Sequence, residues 1–274
     1  MKKFIKILAV VLIMAGISCG VVAFLHYRDE QNAGEEYEVL REQVVDPVVS
    51  EEDQEEPEEP EEPELLEPSV IEEEGVDCPI DFSALQEENP DIYAWIQIPG
   101  TCIDYPILCR QGDNGYYLTH TYTGKTKKEG AIFTEDLNSL DFSDPNTVIY
   151  GHNMKNGSMF RELHKYKDRA FFEENPDVII YTPQKMLRYH IFAAYTSDDS
   201  HILKSNDFTD EDIFLNYLQK ILDRKKNMSD NVSDDIELGS ESKLITLSTC
   251  TSNAEKRFLV QAILNETKPI KEEK

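Results

Sequence analysis

The alternation of apolar and polar residues predicts a chain built mainly from short β-strands. Runs rich in branched and aromatic side chains are separated by turn residues, which is the pattern of half-buried strands. Eight such runs cover residues 94–98, 102–107, 131–133, 147–150, 178–181, 187–197, 244–248 and 257–264. Eight short strands with turns between them favour a β-barrel or a β-sandwich.

Helical periodicity interrupts these strands in a few places. A short helix is expected over residues 81–89, since Asp81 is a good helix start and Pro90 a stop. Shorter helical patterns occupy residues 159–165 and 169–174. The clearest pattern covers residues 210–225, where apolar residues recur at helical spacing: Ile213, Phe214, Tyr217, Leu218, Ile221 and Leu222. This amphipathic helix should pack against the strands.

The N-terminal region, residues 1–28, predicts a membrane anchor. Residues 7–25 form a run of 19 without a charge, preceded by three lysines. About 20 apolar residues span a bilayer core, and flanking lysines favour a cytoplasmic N-terminus. We therefore expect a single-pass protein of the cell membrane with its folded part extracellular. The competing interpretation is a signal peptide that is cleaved.

Residues 29–75 form an acidic segment rich in Glu and Pro. Residues 29–74 contain 21 acidic residues and one basic residue, a net charge of −20. Charge repulsion and proline stiffness predict an extended linker, with a short helix near residues 35–43 as an alternative. Since the whole chain carries −27 and residues 1–28 carry +4, residues 75–274 carry −11. No basic surface suited to nucleic acid is expected.

The five cysteines form neither a CxxC pair nor a zinc pattern with the six histidines. No acidic cluster demands calcium, so no metal or cofactor is assigned. Cys102 and Cys109 flank a predicted strand, and a disulfide between them is an alternative to unpaired thiols. Unpaired thiols are favoured, because a domain of this size buries enough core to need no cross-link.

Three distant side chains combine into a mechanistic set. Cys250 lies where the strand of residues 244–248 ends, Arg257 opens the next strand seven positions later, and His152 follows the strand of residues 147–150. A thiolate is a nucleophile, imidazole carries protons, and a guanidinium stabilises an oxyanion. The alternative for Cys250 alone is a buried core residue. Together the three residues describe acyl transfer through a thioester.

The chain also resembles the sortases, the surface transpeptidases of Gram-positive bacteria. The resemblance rests on TLSTC at residues 246–250 followed by Arg257, and on YGHNM at residues 150–154. It extends through residues 91–106, 113–118, 130–133 and 157–160. A long helical insertion before the strand of Cys250 is most similar to class B. The resemblance implies an eight-stranded sortase-type β-barrel over residues 76–268, with an N-terminal helix and a polar tail at 269–274.

The same resemblance implies an activity and its residues. A cysteine transpeptidase and endopeptidase is expected, in which Cys250 attacks the carbonyl of a Thr in the C-terminal sorting motif of a secreted protein. His152 acts as general acid and base, and Arg257 orients the substrate and stabilises the oxyanion. The acceptor is an amine of a peptidoglycan precursor or a pilin lysine. Ser248, Thr249 and His120 are candidate substrate-binding residues.

Several alternatives stay open from the sequence. His120 lies among aromatic residues and competes with His152 for the acid–base role, and Lys256 competes with Arg257, although strand alternation sends adjacent residues to opposite faces. A thiol peptidase that works by hydrolysis would use the same three residues. A non-catalytic surface scaffold domain would leave Cys250 unreactive.

Overall fold

The computed structural model describes Met14, residues 16–25, Arg28, residues 34–45 and residues 75–271. Eight strands close into a barrel in the order β5-β1-β2-β3-β4-β8-β9-β6, and β6 pairs back to β5. The β2–β3 and β4–β8 pairs are parallel, so the barrel is mixed and the predicted eight-stranded fold is confirmed. The strands are β1 (Ile92–Gln97), β2 (Asp104–Leu108), β3 (Ile132–Thr134), β4 (Asn146–Tyr150), β5 (Asp177–Tyr181), β6 (Lys185–Asp198), a short added strand β7 (Asn231–Val232), β8 (Leu244–Cys250) and β9 (Lys256–Pro269).

Helices decorate the barrel, and three of them start at an aspartate. The carboxylates of Asp81, Asp168 and Asp210 each accept a hydrogen bond from a backbone N–H of the first turn, which satisfies a donor that a helix start leaves free. The helices are α1 (Glu35–Val44), α2 (Phe82–Glu88), α3 (Arg169–Glu174), α4 (Ile202–Ser205) and α5 (Glu211–Leu222), with 3-10 helices at Tyr116–Leu118, Phe160–Lys167 and Asp223–Lys226. The helix predicted at 159–165 is therefore a 3-10 helix.

The amphipathic helix α5 packs on the outside of the barrel, as its periodicity predicts. Phe214, Leu218 and Ile221 are buried at helical spacing. They join a second apolar cluster with Phe192 of β6 and Leu259 of β9, separate from the core inside the barrel. This insertion covers the outer face of the strands that lead into Cys250.

The described part of the predicted linker is not extended. Helix α1 buries Tyr37, Leu40 and Val44 against the barrel, and the Tyr37 hydroxyl donates to the carbonyl oxygen of Gly130 at 2.6 Å. The Arg41 guanidinium lies 2.8 Å from the Asp104 carboxylate. Residues 29–33 and 46–74 of that linker lie outside the described residues.

The N-terminal apolar run requires a correction. Met14 and residues 16–25 are helical, while residues 7–13 and 15 of the predicted span lie outside the described residues. In the part of the chain that the structure describes, no helix combines the length and apolar character that crossing a bilayer requires. This finding contradicts the predicted single-pass membrane protein.

Strand register brings the predicted chemistry to one end of the barrel. Because β4 and β8 are parallel neighbours, their carboxyl ends meet at the same edge. Tyr150, the last residue of β4, is paired with Ser248, two residues before the end of β8. The chain after Tyr150 therefore runs beside Cys250.

Candidate active site

Cys250 and Arg257 are direct partners at the last rung of the β8–β9 ladder. Directly opposed residues in an antiparallel pair point to the same face, with Cβ atoms roughly 5 Å apart. On its other side Arg257 is paired with Ser197 of β6. The short loop of residues 251–255 thus places a thiol and a guanidinium side by side, and Cys250 is exposed.

His152 lies beside this pair because the loop after β4 is pinned to β8. The backbone N–H of Gly151 donates to the Ser248 carbonyl at 3.1 Å, and the Thr249 hydroxyl donates to the Gly151 carbonyl at 2.8 Å. Gly151 has no room for a side chain: an added Cβ would lie 2.5 Å from Ile132 and 2.6 Å from Phe160. The position of His152 is therefore set by close packing of the preceding residue.

The tautomer of His152 follows from its hydrogen bond. Its Nε2 lies 2.7 Å from the carbonyl oxygen of Leu118. A carbonyl oxygen can only accept, so Nε2 carries the proton and Nδ1 holds the lone pair of the neutral ring. Nδ1 is then the ring atom that is free to accept a proton.

One pocket of about 250 Å³ unites the three predicted residues. Cys250, His152 and Arg257 all line it, together with Ser248 and Thr249. Apolar walls come from Leu118, Phe133, Tyr150, Ile202 and Leu259, and acidic side chains from Glu135, Asp198 and Asp199. The site thus brings a thiol, an imidazole and a guanidinium into one space.

Arg257 also organises its own loop. Its Nη1 donates to the carbonyl oxygens of Ala254 at 2.8 Å and Lys256 at 3.1 Å. Lys256, its rival from the sequence, is exposed and paired with Asp198, and it is not among the pocket residues. Loop carbonyls therefore hold the guanidinium beside Cys250.

The structure does not bring His120 into this pocket. Its ring stacks on Tyr116 with centroids 3.9 Å apart, and its Nδ1 lies 2.8 Å from the Tyr116 carbonyl oxygen. Its Nε2 lies 3.3 Å from the Thr126 hydroxyl. Both ring nitrogens of His120 thus contact residues of its own loop, and the expected substrate-binding role of His120 gains no support from its position.

Sequence reasoning missed a second group of side chains, which contacts Cys250 through its backbone. The side-chain amide of Asn153 donates to the Cys250 carbonyl oxygen at 2.8 Å, and His164 Nε2 lies 3.1 Å from the same oxygen. Arg161 donates to Asn153 Oδ1 at 2.9 Å. Burial lowers the pKa of His164, so its ring is neutral at neutral pH. Asn153 stands inside the YGHNM motif, whereas nothing local marks Arg161 or His164.

The remaining cysteines are not arranged for catalysis. Cys102 and Cys109 are both free, so no disulfide joins them. Burial raises the pKa of the Cys78 and Cys109 thiols, which keeps them protonated and poorly nucleophilic. Across the described residues, no group of three or more His, Cys, Asp or Glu side chains is placed to hold a metal ion.

Comparison with known proteins gives concordant matches. The family model of the sortase domain matches residues 96–265. Sortase B of Listeria monocytogenes is 39% identical over 166 residues, which are 61% of this chain and 65% of that protein. Sortase B of Staphylococcus aureus is 30% identical over 187 residues, 66% of this chain and 73% of that protein. The chain thus spans just under two thirds of the Listeria relative.

Solved structures agree with these sequence matches. Clostridium perfringens sortase B superposes with a TM-score of 0.61 at 31% identity, over 68% of this chain and all of that one. A Staphylococcus aureus sortase B–substrate complex superposes with a TM-score of 0.60 at 26% identity, over 68% of this chain and 84% of that one.

Proposed function

The chain belongs to the sortase family of cysteine transpeptidases, within class B, and from this premise we propose that it joins secreted proteins to an amine acceptor. The donor is a C-terminal sorting motif cleaved after Thr, and the acceptor is an amine of a peptidoglycan precursor or a pilin lysine. The observation that carries the proposal is that Cys250, His152 and Arg257 line one pocket.

Cleavage begins at the sulfur. The thiolate of Cys250 attacks the Thr carbonyl carbon, so a C–S bond forms and the carbonyl oxygen becomes an oxyanion. The thiol proton has passed to Nδ1 of His152. When the tetrahedral intermediate collapses, the C–N bond breaks and His152 returns that proton to the leaving amine. A thioester on Cys250 remains.

Transfer reverses these roles. The incoming amine attacks the thioester carbon, a new C–N bond forms, and the C–S bond breaks. His152 takes the proton that the amine loses and returns it to the sulfur, so the enzyme regains its starting state. The chemistry is balanced by the two substrates and needs no oxidant or reductant.

Arg257 supports both steps by charge. Its guanidinium is fixed beside Cys250 by two loop carbonyls, and it keeps its charge at any relevant pH. A substrate carbonyl or an oxyanion at the Cys250 sulfur would therefore meet a positioned donor. Such a preorganised donor stabilises charge that develops in the transition state.

The pocket itself suits an extended peptide. Its lining residues come from the end of β6 and the segment leading into α4, and from β4 and β8. Its five apolar residues would contact side chains of the motif, and Glu135 pairs with His201 at 2.8 Å. These walls support a short sorting motif as the donor.

The test is a product analysis by mass spectrometry. A small library of sorting-motif peptides is incubated with the protein and with oligoglycine, a diaminopimelate peptide or lysine as acceptor. We expect a covalent acyl adduct on Cys250, a ligated product, and neither with Cys250→Ala. Cleavage of the peptide with no ligated product for any of the acceptors would identify a thiol peptidase. A Cys250 that does not react with thiol-directed probes would indicate a scaffold domain.

A further inference from the structure

A second cleft lies behind Cys250, distinct from the pocket of His152 and Arg257. It has a volume of about 530 Å³ and is bounded by the 3-10 helix Phe160–Lys167 and the loop after Cys250. We call it the basic cleft and define it by its lining residues: Asn153, Gly157, Arg161, Glu162, His164, Lys165, Lys167 and Ser252. The mechanism above uses none of its side chains.

The basic cleft carries uncompensated positive charge in an acidic protein. Glu162 is the one acidic side chain among its lining residues, and it forms an ion pair with Lys165 at 2.7 Å. Arg161 donates to a neutral amide, and Lys167 lies 5.0 Å above the ring centroid of Phe258. Neither Arg161 nor Lys167 forms an ion pair with any residue that the structure describes. In a chain of net charge −27, two such cations in one cleft favour an anionic ligand.

The pocket of Cys250 has the opposite character. Glu135, Asp198 and Asp199 line it, and Arg257 is its one Lys or Arg side chain among the described residues. An anionic group brought there meets repulsion, whereas the same group in the basic cleft meets attraction. The pocket of Cys250 therefore disfavours an anionic ligand, and the basic cleft favours one.

The basic cleft is close enough to the nucleophile to serve the reaction. Arg161 donates to the side-chain oxygen of Asn153 at 2.9 Å, and the side-chain amide of Asn153 donates to the Cys250 carbonyl oxygen at 2.8 Å. Two hydrogen bonds thus link Arg161 to Cys250, and Ser252 follows Cys250 by two residues. An extended peptide advances roughly 3.3 Å per residue. A carboxylate two or three residues from the reacting amine would therefore lie roughly 7–10 Å from it.

We propose that the basic cleft binds a carboxylate of the amine acceptor that resolves the Cys250 thioester. The acceptor is thereby assigned a chemical class, a peptide amine that carries carboxylate groups. This inference rests on the proposed function, because it needs a thioester to resolve. Arg161 and Lys167 hold the carboxylate while the amine attacks the thioester carbon, and the proton follows the route through His152 given above.

The test compares two acceptors that differ only in charge. Gly-Gly-Glu with free carboxylates and its uncharged analogue Gly-Gly-Gln-amide offer the same amine to the thioester. Surface ion pairs contribute about 0.2–1 kcal/mol each, so two cations should lower the KM of the acid relative to the amide by roughly fivefold. The preference should shrink as salt rises, since about 0.1 M salt screens charges beyond roughly 10 Å.

Variants locate the preference in the basic cleft. Lys167→Gln should reduce the KM ratio by about twofold, and Lys167→Gln with Arg161→Gln should abolish it. Lys220→Gln removes another exposed lysine, which lies on α5 and lines neither cavity, and it should leave the ratio as in the wild type. Equal KM values for the two acceptors, or a ratio unchanged by Lys167→Gln, would overturn the inference and leave the proposed function standing.

A binding measurement separates the inference from catalysis. Gly-Gly-Glu is titrated into Cys250→Ala protein while the side-chain amide resonance of Asn153 is followed by NMR. We expect a saturable shift with Gly-Gly-Glu that weakens in the Lys167→Gln background. If no acyl adduct ever forms on Cys250, the proposed function fails, and this titration still decides whether the cleft takes a carboxylate. An equal response to Gly-Gly-Gln-amide would count against it.

Discussion

The side-chain amide of Asn153 lies 2.8 Å from the backbone carbonyl oxygen of Cys250. Asn153 directly follows His152 in the chain, so this hydrogen bond joins the residue after His152 to the backbone of Cys250. Together with the Thr249–Gly151 bond of 2.8 Å, it fixes the loop after β4 against the end of β8. The position of His152 relative to Cys250 therefore depends on hydrogen bonds made by the residues next to each of them.

Asn153→Ala is expected to lower kcat with little change in the KM of the sorting peptide. One hydrogen bond contributes about 0.5–1.5 kcal/mol, which corresponds to roughly a two- to tenfold loss if it acts on positioning. Asn153→Asp keeps the shape but loses the donor, so it should show the same loss. Steady-state kinetics checks this prediction, and wild-type kcat in both variants would contradict a positioning role.

His152→Gln should lower turnover by about a hundredfold to ten-thousandfold, because general acid–base catalysis typically supplies that factor. His120→Gln is the matched control, since the His120 ring stacks on Tyr116 and does not line the pocket. It should retain turnover within about twofold of the wild type, an effect smaller than 0.5 kcal/mol. Thioester formation in a stopped assay measures both. A larger loss in His120→Gln than in His152→Gln would reverse the assignment.

Arg257→Ala should lower turnover by about a hundredfold to a thousandfold, as loss of one oxyanion donor typically does. Arg257→Lys should recover only part of it, because an ammonium cannot both bind the Ala254 and Lys256 carbonyls and present a planar fork to the substrate. Kinetics with one sorting peptide provides the comparison. Complete rescue by lysine would indicate that charge alone matters.

His164 predicts a pH dependence of stability. Burial lowers its pKa in the folded protein below the ordinary value of 6.5. As pH falls through about 6.5, the unfolded chain takes up a proton that the folded state does not, so the free energy of unfolding decreases until the lower folded-state pKa is reached. Well above pH 6.5 His164 is unprotonated in both the folded and the unfolded state, so this loss of stability is absent.

His164→Gln should remove this loss. Urea unfolding at pH 7.5 and pH 5.5, chosen to bracket the ordinary histidine value near 6.5, gives the two free energies for each protein. The wild type should lose more stability between these conditions than the variant. A decrease of equal size in both proteins would assign the pH dependence to other groups.

The three proposed catalytic residues could be brought together from the sequence because each stands at the end of a strand. Alternation placed Cys250 at the end of one strand, and seven residues to Arg257 left room only for a tight hairpin, which the direct pairing of the two residues reflects. His152 was proposed because a branched apolar run ends just before it and, above all, because YGHNM resembles the sortase motif. Strand ends were less predictable: β9 continues to Pro269, since its exposed half carries polar residues that do not alternate with apolar ones.

Long-range side-chain contacts around the site could not be predicted from the sequence. Asn153 meets His164 at 3.0 Å only because the chain between them folds into a 3-10 helix that returns to β8. Glu135 and His201 pair at 2.8 Å across 66 residues. Such contacts follow from the packing of whole elements, so no spacing or composition announces them.

The packing of helix α1 against the barrel has a consequence for the chain on both sides of residues 46–74. Val45, which follows helix α1, forms a β-bridge with Ile80, and Val76 forms a β-bridge with Ile270. The chain is therefore attached to the folded domain both before residue 46 and after residue 74. A protease cut within residues 46–74 would leave the severed helix docked, because Tyr37, Leu40 and Val44 remain buried.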